Sequence, residues 1–338
     1  MAKANEIDYS LLRSIFHSHI TEAEAVEELT KDAVKGAEAG RELENISWED
    51  WLHNRFEYQL VWLDRDDYLR ALVRALWLGP KFAGTDFGSS RQRDLAQVWT
   101  DTARGFLGEI AVSKFLEKTF GIETLEDSRR GQIEDFLQSD IVQIRMKNQG
   151  WRDPNLQISI KTTKLNGRWL DVPGDQISHS DVFILVKAGI RRTHFLSFLK
   201  AVSFLRDKLF PNAKALGEIN SDEAELLWNE IPQFSPIPAY IAGFLDKTGL
   251  DLEKEPIQKI DYHIVKGKNR RVKIASGIGL FSPETVRDYL KTKNPNLPGE
   301  LEVEIDPIIK KLAGKHFLAN SGGLLWGQSS WRSLIARL

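Results

Sequence analysis

The stretch Gln157-Ile158-Ser159-Ile160-Lys161-Thr162-Thr163 decides how this chain is read. Side chains alternate across a β-strand, so residues two apart share a face. Ile158 and Ile160 then look into a core, while Gln157, Ser159, Lys161 and Thr163 look the other way. A lysine on the polar face of a half-exposed strand is by itself an ordinary surface feature. Its neighbours give it weight. Asp140 opens the preceding expected strand in Ser139-Asp140-Ile141-Val142, an acid at a sheet edge close to Lys161. Glu109 sits in Gly105-Phe106-Leu107-Gly108-Glu109-Ile110-Ala111, inside a helix expected over Asp101–Thr119. There Phe106 and Ile110, and Leu107, Ala111 and Phe115, recur at helical spacing. Its two glycines cost roughly 1 kcal/mol each against alanine. They make sense if something approaches the helix closely, and they clear space for Glu109.

Further strands are expected over Ile122–Leu125, Asp140–Ile144, Leu156–Thr162 and Asp181–Lys187. The last, with its Val-Phe-Ile-Leu-Val run, suits burial on both faces. Trp169, Asp171 and Asp175 are expected in a loop leading to it, and Phe195–Leu209 in a helix after it. Two carboxylates and a lysine converging at a sheet edge suit metal-assisted phosphodiester hydrolysis. Hard oxygen ligands select Mg²⁺, which stabilises charge on phosphate and lowers the pKa of a bound water.

Glu109 in a glycine-flanked helix, then Asp140, then Ser159-Ile160-Lys161, then a buried strand, resembles the PD-(D/E)xK nuclease superfamily, whose best-known members are type II restriction endonucleases. The resemblance covers about residues 101–190. It implies an α/β (α+β) fold, with a restriction-endonuclease-like core of central mixed β-sheet flanked by helices. It also implies Mg²⁺-dependent cleavage of double-stranded DNA to 5′-phosphate ends, and a homodimer. Carried over, Asp140 is a metal ligand, Lys161 the catalytic lysine, and the Ile160 carbonyl completes the metal shell. Glu109 matches an acid many members hold on the preceding helix. The chain departs from the pattern at Ser139, where proline is usual, and at Ser159, where the second acid is usual. A serine cannot supply a carboxylate to Mg²⁺. The substitute is Glu109 or Asp175, and the glycines favour Glu109.

The 338 residues include no cysteine, which excludes disulfides, Cys-ligated zinc, iron–sulfur clusters and thiol nucleophiles. No apolar run nears the ~20 residues of a membrane helix. The opening Met-Ala-Lys-Ala-Asn-Glu-Ile-Asp lacks a signal peptide's apolar core. A cytoplasmic protein with no membrane partner is expected. The histidines show no zinc spacing. Without a Gly-x-x-x-x-Gly-Lys-Ser/Thr run, no nucleotide cofactor is expected.

The net charge of −2 conceals an acidic residue 1–70 segment at −8 against +6 for the rest. The chain divides into a helical region (1–95), the nuclease-like core (96–210) and a recognition or dimerisation region (211–338). In the first, a helix is expected over Glu22–Ala39, and Ser47 reads as an N-cap with Asp50 at the third helical position. Two amphipathic helices follow. One carries Trp51, Phe56, Leu60, Trp62 and Leu63. The other carries Leu69, Leu72, Val73, Leu76 and Trp77, and is stopped by Gly79-Pro80. In the last region, Lys266, Lys268, Asn269, Arg270, Arg271 and Lys273 form a basic hairpin tip suited to DNA phosphates and base edges. Arg129-Arg130, Arg145-Met146-Lys147 and Arg191-Arg192 are lesser patches. Trp151 and Trp169 flank the catalytic strand as possible nucleic-acid contacts. Trp326, Trp331, Leu334 and Leu338 suggest a docked terminal helix. Rival readings are a structure-specific repair or recombination nuclease, a DNA-binding protein with an inactive nuclease core, and a scaffold in which Lys161 is only a surface lysine.

Overall fold

The structure is a computed structural model that describes residues 7–83, 94–126, 139–174, 176–248, 250, 257–265, 271–296, 301–306, 308 and 311–338. Asp175, Arg129, Arg130, Lys266, Lys268, Asn269 and Arg270 lie outside the described residues. The N-terminal helices are α1 (Tyr9–His17), α2 (Ala23–Ala39) and α3 (Trp48–Asp50), followed by a π-helical turn at Trp51–Glu57. Ser47 caps α3 as expected, its hydroxyl accepting the Asp50 amide. Strand β1 (Leu60–Leu63) precedes α4 (Arg65–Ala83) and α5 (Leu95–Phe120). Then come β2 (Ile122–Glu126), β3 (Ile141–Met146), β4 (Ile158–Lys164), β5 (Trp169–Pro173) and β6 (Val182–Ala188). Helices α6 (His194–Ala201), α7 (Phe210–Ala215) and α8 (Ser221–Glu230) lead to β7 (Ile237–Asp246), β8 (Lys259–Ile264) and β9 (Arg271–Phe281). The chain continues through α9 (Pro283–Lys293), β10 (Glu302–Ile305), β11 (His316–Asn320) and α10 (Gly327–Ile335).

A central sheet of order β1-β7-β6-β4 organises the molecule. It is mixed: β4 runs parallel to β6, and β7 runs antiparallel to β6 and β1. Its strands come from all three stretches into which the sequence divides. All of β6 is buried, as its apolar run requires, and alternation sorts its side chains. Val182, Ile184 and Val186 join one core with Ile158 and Ile160 of β4 and with Phe106, Leu107, Ile110 and Phe115 of α5. Phe183 and Leu185 join the other, against α1, α2 and a second sheet. In that second sheet β9 pairs with β8, β10 and β11, and β11 pairs with β5. Helix α10 seals the first core with Trp331 and Leu334, and the chain end adds Leu338, so the expected terminal helix is docked. At Gly243 (φ +141°) β7 bulges, and a Cβ there would sit 2.5 Å from the Leu325 carbonyl oxygen, so only glycine fits.

Several local expectations are corrected. Leu60-Val61-Trp62-Leu63 is a strand, not the end of an amphipathic helix, because its ladder partner is Ile237–Tyr240, far along the chain. Helix α4 continues through Gly79-Pro80 to Ala83. Its buried face is Tyr68, Ala71, Leu72, Ala75 and Leu78, while Leu69, Val73, Leu76 and Trp77 are exposed. The small alanines let α4 lie close to α5, which turns the larger apolar residues outward. Residues 169–173 form β5 rather than a loop, paired with β11. The helix expected over Phe195–Leu209 breaks at residues 202–203 and resumes as a π-helical turn, Leu205–Leu209.

A charged network is sealed under the second face. Lys187 donates to Glu42 at 2.5 Å and to the Ser321 hydroxyl at 2.9 Å. Tyr240 and the Trp51 indole each donate to Glu42 at 2.8 Å. Arg55, on the π-helical turn, donates to the carbonyls of Ala242 and Ser321. Burial works to raise the Glu42 carboxyl, but Lys187 and Arg55 outweigh it and hold it at about 2. Burial pulls the Lys187 ammonium down against the attraction of Glu42, and pushes the Tyr240 phenol well up.

Candidate active site

Strand β4 lies at an edge of the central sheet, and the start of β3 abuts that edge. Ser139 and Asp140 make the junction. The Ser139 hydroxyl accepts the Ile158 amide at 3.1 Å and donates to the Ile141 carbonyl at 2.7 Å. The Asp140 amide donates to the Ile158 carbonyl at 2.8 Å. One Asp140 carboxylate oxygen then accepts the Ile160 amide at 2.5 Å. Ser139 is therefore a working part of the junction. A proline there has no hydroxyl with which to pin the two strands.

Successive peptide groups of a strand point to opposite sides in the sheet plane. The outward-facing amides of Ile158 and Ile160 thus fix the Ile160 carbonyl on the edge that Asp140 occupies. Lys161 follows on the opposite sheet face, together with buried Ser159. Its ammonium donates to Oε1 of Gln176 at 2.7 Å. Gln176 begins the short turn before β6 and is half-buried. No spacing rule marks a glutamine in such a turn, and the sequence pattern missed it.

Glu109 arrives from the first face. Helix α5 packs onto β4 at Gly108, where a Cβ would lie 1.8 Å from the Thr162 hydroxyl oxygen. That hydroxyl donates to the Gly105 carbonyl at 3.4 Å. The close approach expected of the glycines is thus real at Gly108, and Thr162 is what approaches. A Cβ at Gly105 would meet nothing within 4 Å, so that glycine is not required by packing. Asp140 thus meets β4 at its edge and Lys161 stands on the face away from α5, while Glu109 is carried by α5 on the other face, next to the Gly108–Thr162 contact. The two acids and the lysine therefore do not converge as the sequence leads one to expect. A cavity of about 200 Å³ beside the junction is lined by Ser139, Ile141, Asp153 and Gln157.

The oxygen donors here are carboxylate and carbonyl. Among the described residues no three His, Cys, Asp or Glu side chains gather as a metal cage. Mg²⁺ commonly keeps several waters and needs only one or two carboxylates. Asp140, with one oxygen given to Ile160, and the Ile160 carbonyl on the same edge fit such a sparse set.

Other candidate residues are placed as follows. On either side of the expected basic hairpin tip, β8 and β9 pair, with Ile264 opposite Val272. Arg271 lies 3.3 Å from Glu302 and 3.4 Å from Glu304, and Lys273 lies 3.7 Å from Glu304. Both cations are thus matched by acids of β10. Trp169 is buried, its indole donating to the Asp306 carbonyl, which removes it as a nucleic-acid contact. Trp151 is exposed and carries the Arg145 guanidinium 4.8 Å from its ring centre, while Arg145 pairs with Glu123. No described helix is long and apolar enough to cross a membrane. No protein-family model, curated protein or solved structure matches this chain.

Proposed function

We propose that this chain is a Mg²⁺-dependent DNA endonuclease of the type II restriction kind, cutting double-stranded DNA at a specific sequence and acting as a homodimer in the cytoplasm. The observation that carries the reading is the Asp140 carboxylate on the Ile160 amide, with Lys161 the next residue along. That sets an acid from one strand against the backbone of β4 just before its lysine, in the order the PD-(D/E)xK resemblance calls for.

Asp140 and the Ile160 carbonyl would hold the metal. Bound there, Mg²⁺ supplies neutralisation of charge on the phosphate and a more acidic water. The chain's residues do the rest. Ser139 and Asp140 hold β3 against β4, so the acid and carbonyl keep one relative position. Lys161 orients the attacking water and attracts a phosphate oxygen, and Gln176 limits where its ammonium can swing. Water adds to phosphorus and the bond to the 3′ oxygen breaks, leaving a 3′ hydroxyl and a 5′ phosphate.

Ser159 favours a second reading. Buried and without a carboxylate, it leaves the strand one acid short, as in a DNA-binding protein with an inactive core. Phage DNA incubated with the protein in Mg²⁺ and then in Ca²⁺ decides. Discrete fragments in Mg²⁺ alone support the restriction reading. Cutting confined to branched DNA points to a repair or recombination nuclease. Binding without cleavage in either metal points to the inactive core.

A further inference from the structure

A second basic site lies further along the same helix–strand seam. A cavity of about 250 Å³ is lined by Arg104 of α5, Lys164 at the end of β4, and Arg191 and Arg192 ahead of α6, together with Tyr68 and Thr100, whose hydroxyl donates to the Gln97 carbonyl. No carboxylate lines it. Arg191 pairs with Glu22 at 2.9 Å and Glu28 at 3.1 Å, and Arg104 with Asp101 at 3.2 Å. These pairs fix the guanidiniums, and each uses only part of its fork of donors. Lys164 and Arg192 are exposed and have no ion pair among the described residues. Burial pushes the Tyr68 phenol up to about 12, so it keeps its proton and can donate.

We propose that this cavity binds a phosphate group of a nucleic-acid strand. Four cations, the Tyr68 hydroxyl and no lining acid suit a compact, multiply charged oxyanion. Lys164 shares the β4 face of Ile160, four residues on, which is about 13 Å at ~3.3 Å per residue. Arg104 stands about one turn before Gly108 on α5. A strand lying along this seam would place one phosphate at the Asp140–Ile160 edge and another in the cavity. The assignment to nucleic acid rests on the nuclease reading above.

The test uses the whole chain and a Lys164→Gln/Arg192→Gln double variant, with both substitutions at exposed positions. Inorganic phosphate is titrated against chloride at equal ionic strength while thermal unfolding is followed. The wild-type midpoint should rise saturably with phosphate, and the double variant should lose that rise. Binding of a fluorescent duplex, with and without a 5′-phosphate, is then measured in Ca²⁺ between about 50 and 200 mM salt. Losing this one phosphate contact should flatten the log–log salt dependence by about 0.9. Equal losses for both duplexes support an internal diester as occupant. A loss confined to the 5′-phosphorylated duplex supports a terminal monoester. Duplex binding by the wild type with an unchanged slope in the double variant overturns the cavity alone. A phosphate response without any duplex binding overturns both the nucleic-acid assignment and the nuclease reading.

Discussion

One oxygen of the Asp140 carboxylate sits 2.5 Å from the backbone nitrogen of Ile160, on the far side of a strand junction. The acid thus has a structural duty besides any catalytic one, and the two can be separated. Asp140→Asn keeps an acceptor for the Ile160 amide but removes the charge. It should abolish cleavage and leave the urea midpoint nearly unchanged. Asp140→Ala should abolish cleavage and also cost about 1–3 kcal/mol, since the amide loses its partner. Mg²⁺-dependent cleavage at wild-type levels in either variant would sink the site assignment.

Gln176 touches Lys161 and belongs to no packed core cluster. Gln176→Ala should therefore reduce cleavage roughly ten- to hundredfold through misplacement of the lysine, with stability changed by less than about 0.5 kcal/mol. Lys161→Ala should abolish cleavage altogether. A Gln176→Ala enzyme with full turnover would show that the lysine needs no holder.

The two glycines of α5 should answer oppositely to alanine. Gly108→Ala forces a methyl into the Thr162 hydroxyl and should destabilise by about 1–3 kcal/mol. Adding Thr162→Ala should return part of that loss. Gly105→Ala meets open space and should stabilise by up to ~1 kcal/mol, because the unfolded chain loses more freedom than the folded one. Chemical denaturation of the three variants is sufficient, and equal responses at 105 and 108 would contradict the packing.

Glu42 gives the acid limb of the stability profile. Its carboxyl lies at about 2 in the fold against an ordinary 4.5, held down by Lys187 and Arg55. A depressed acid stabilises fully above its unfolded value. That contribution falls away as pH drops from 4.5 through about 2. Urea midpoints between pH 7 and 2.5 should show the decline, and Glu42→Gln should flatten it. At pH 7 Glu42→Gln should itself cost about 3–5 kcal/mol, because Lys187 and Arg55 remain buried without their counter-charge.

What could be read from the sequence was local. The alternation around Lys161, the buried run of β6, the Ser47 cap and the Trp331 helix each carry their signal within a few residues. The unread parts depend on distant partners. Leu60–Leu63 becomes a strand because Ile237–Tyr240 pairs with it, and Trp169–Pro173 because His316–Asn320 does. Similarly, Lys161 and Asp140 were visible as residue types in order. Gln176, the pinning role of Ser139 and the cavity around Arg104, Lys164 and Arg192 emerge only once loops and strand ends are set side by side.

The mixed origin of the central sheet bears on how this protein can be trimmed. A fragment cut to residues 96–210 would carry β4 and β6 but abandon β7, Trp331 and Leu334. It would bare a full ladder edge of a strand that is apolar but for Lys187, an invitation to intermolecular pairing and insolubility. Any shortened version meant to stay in solution has to start ahead of Leu60 and retain Trp331.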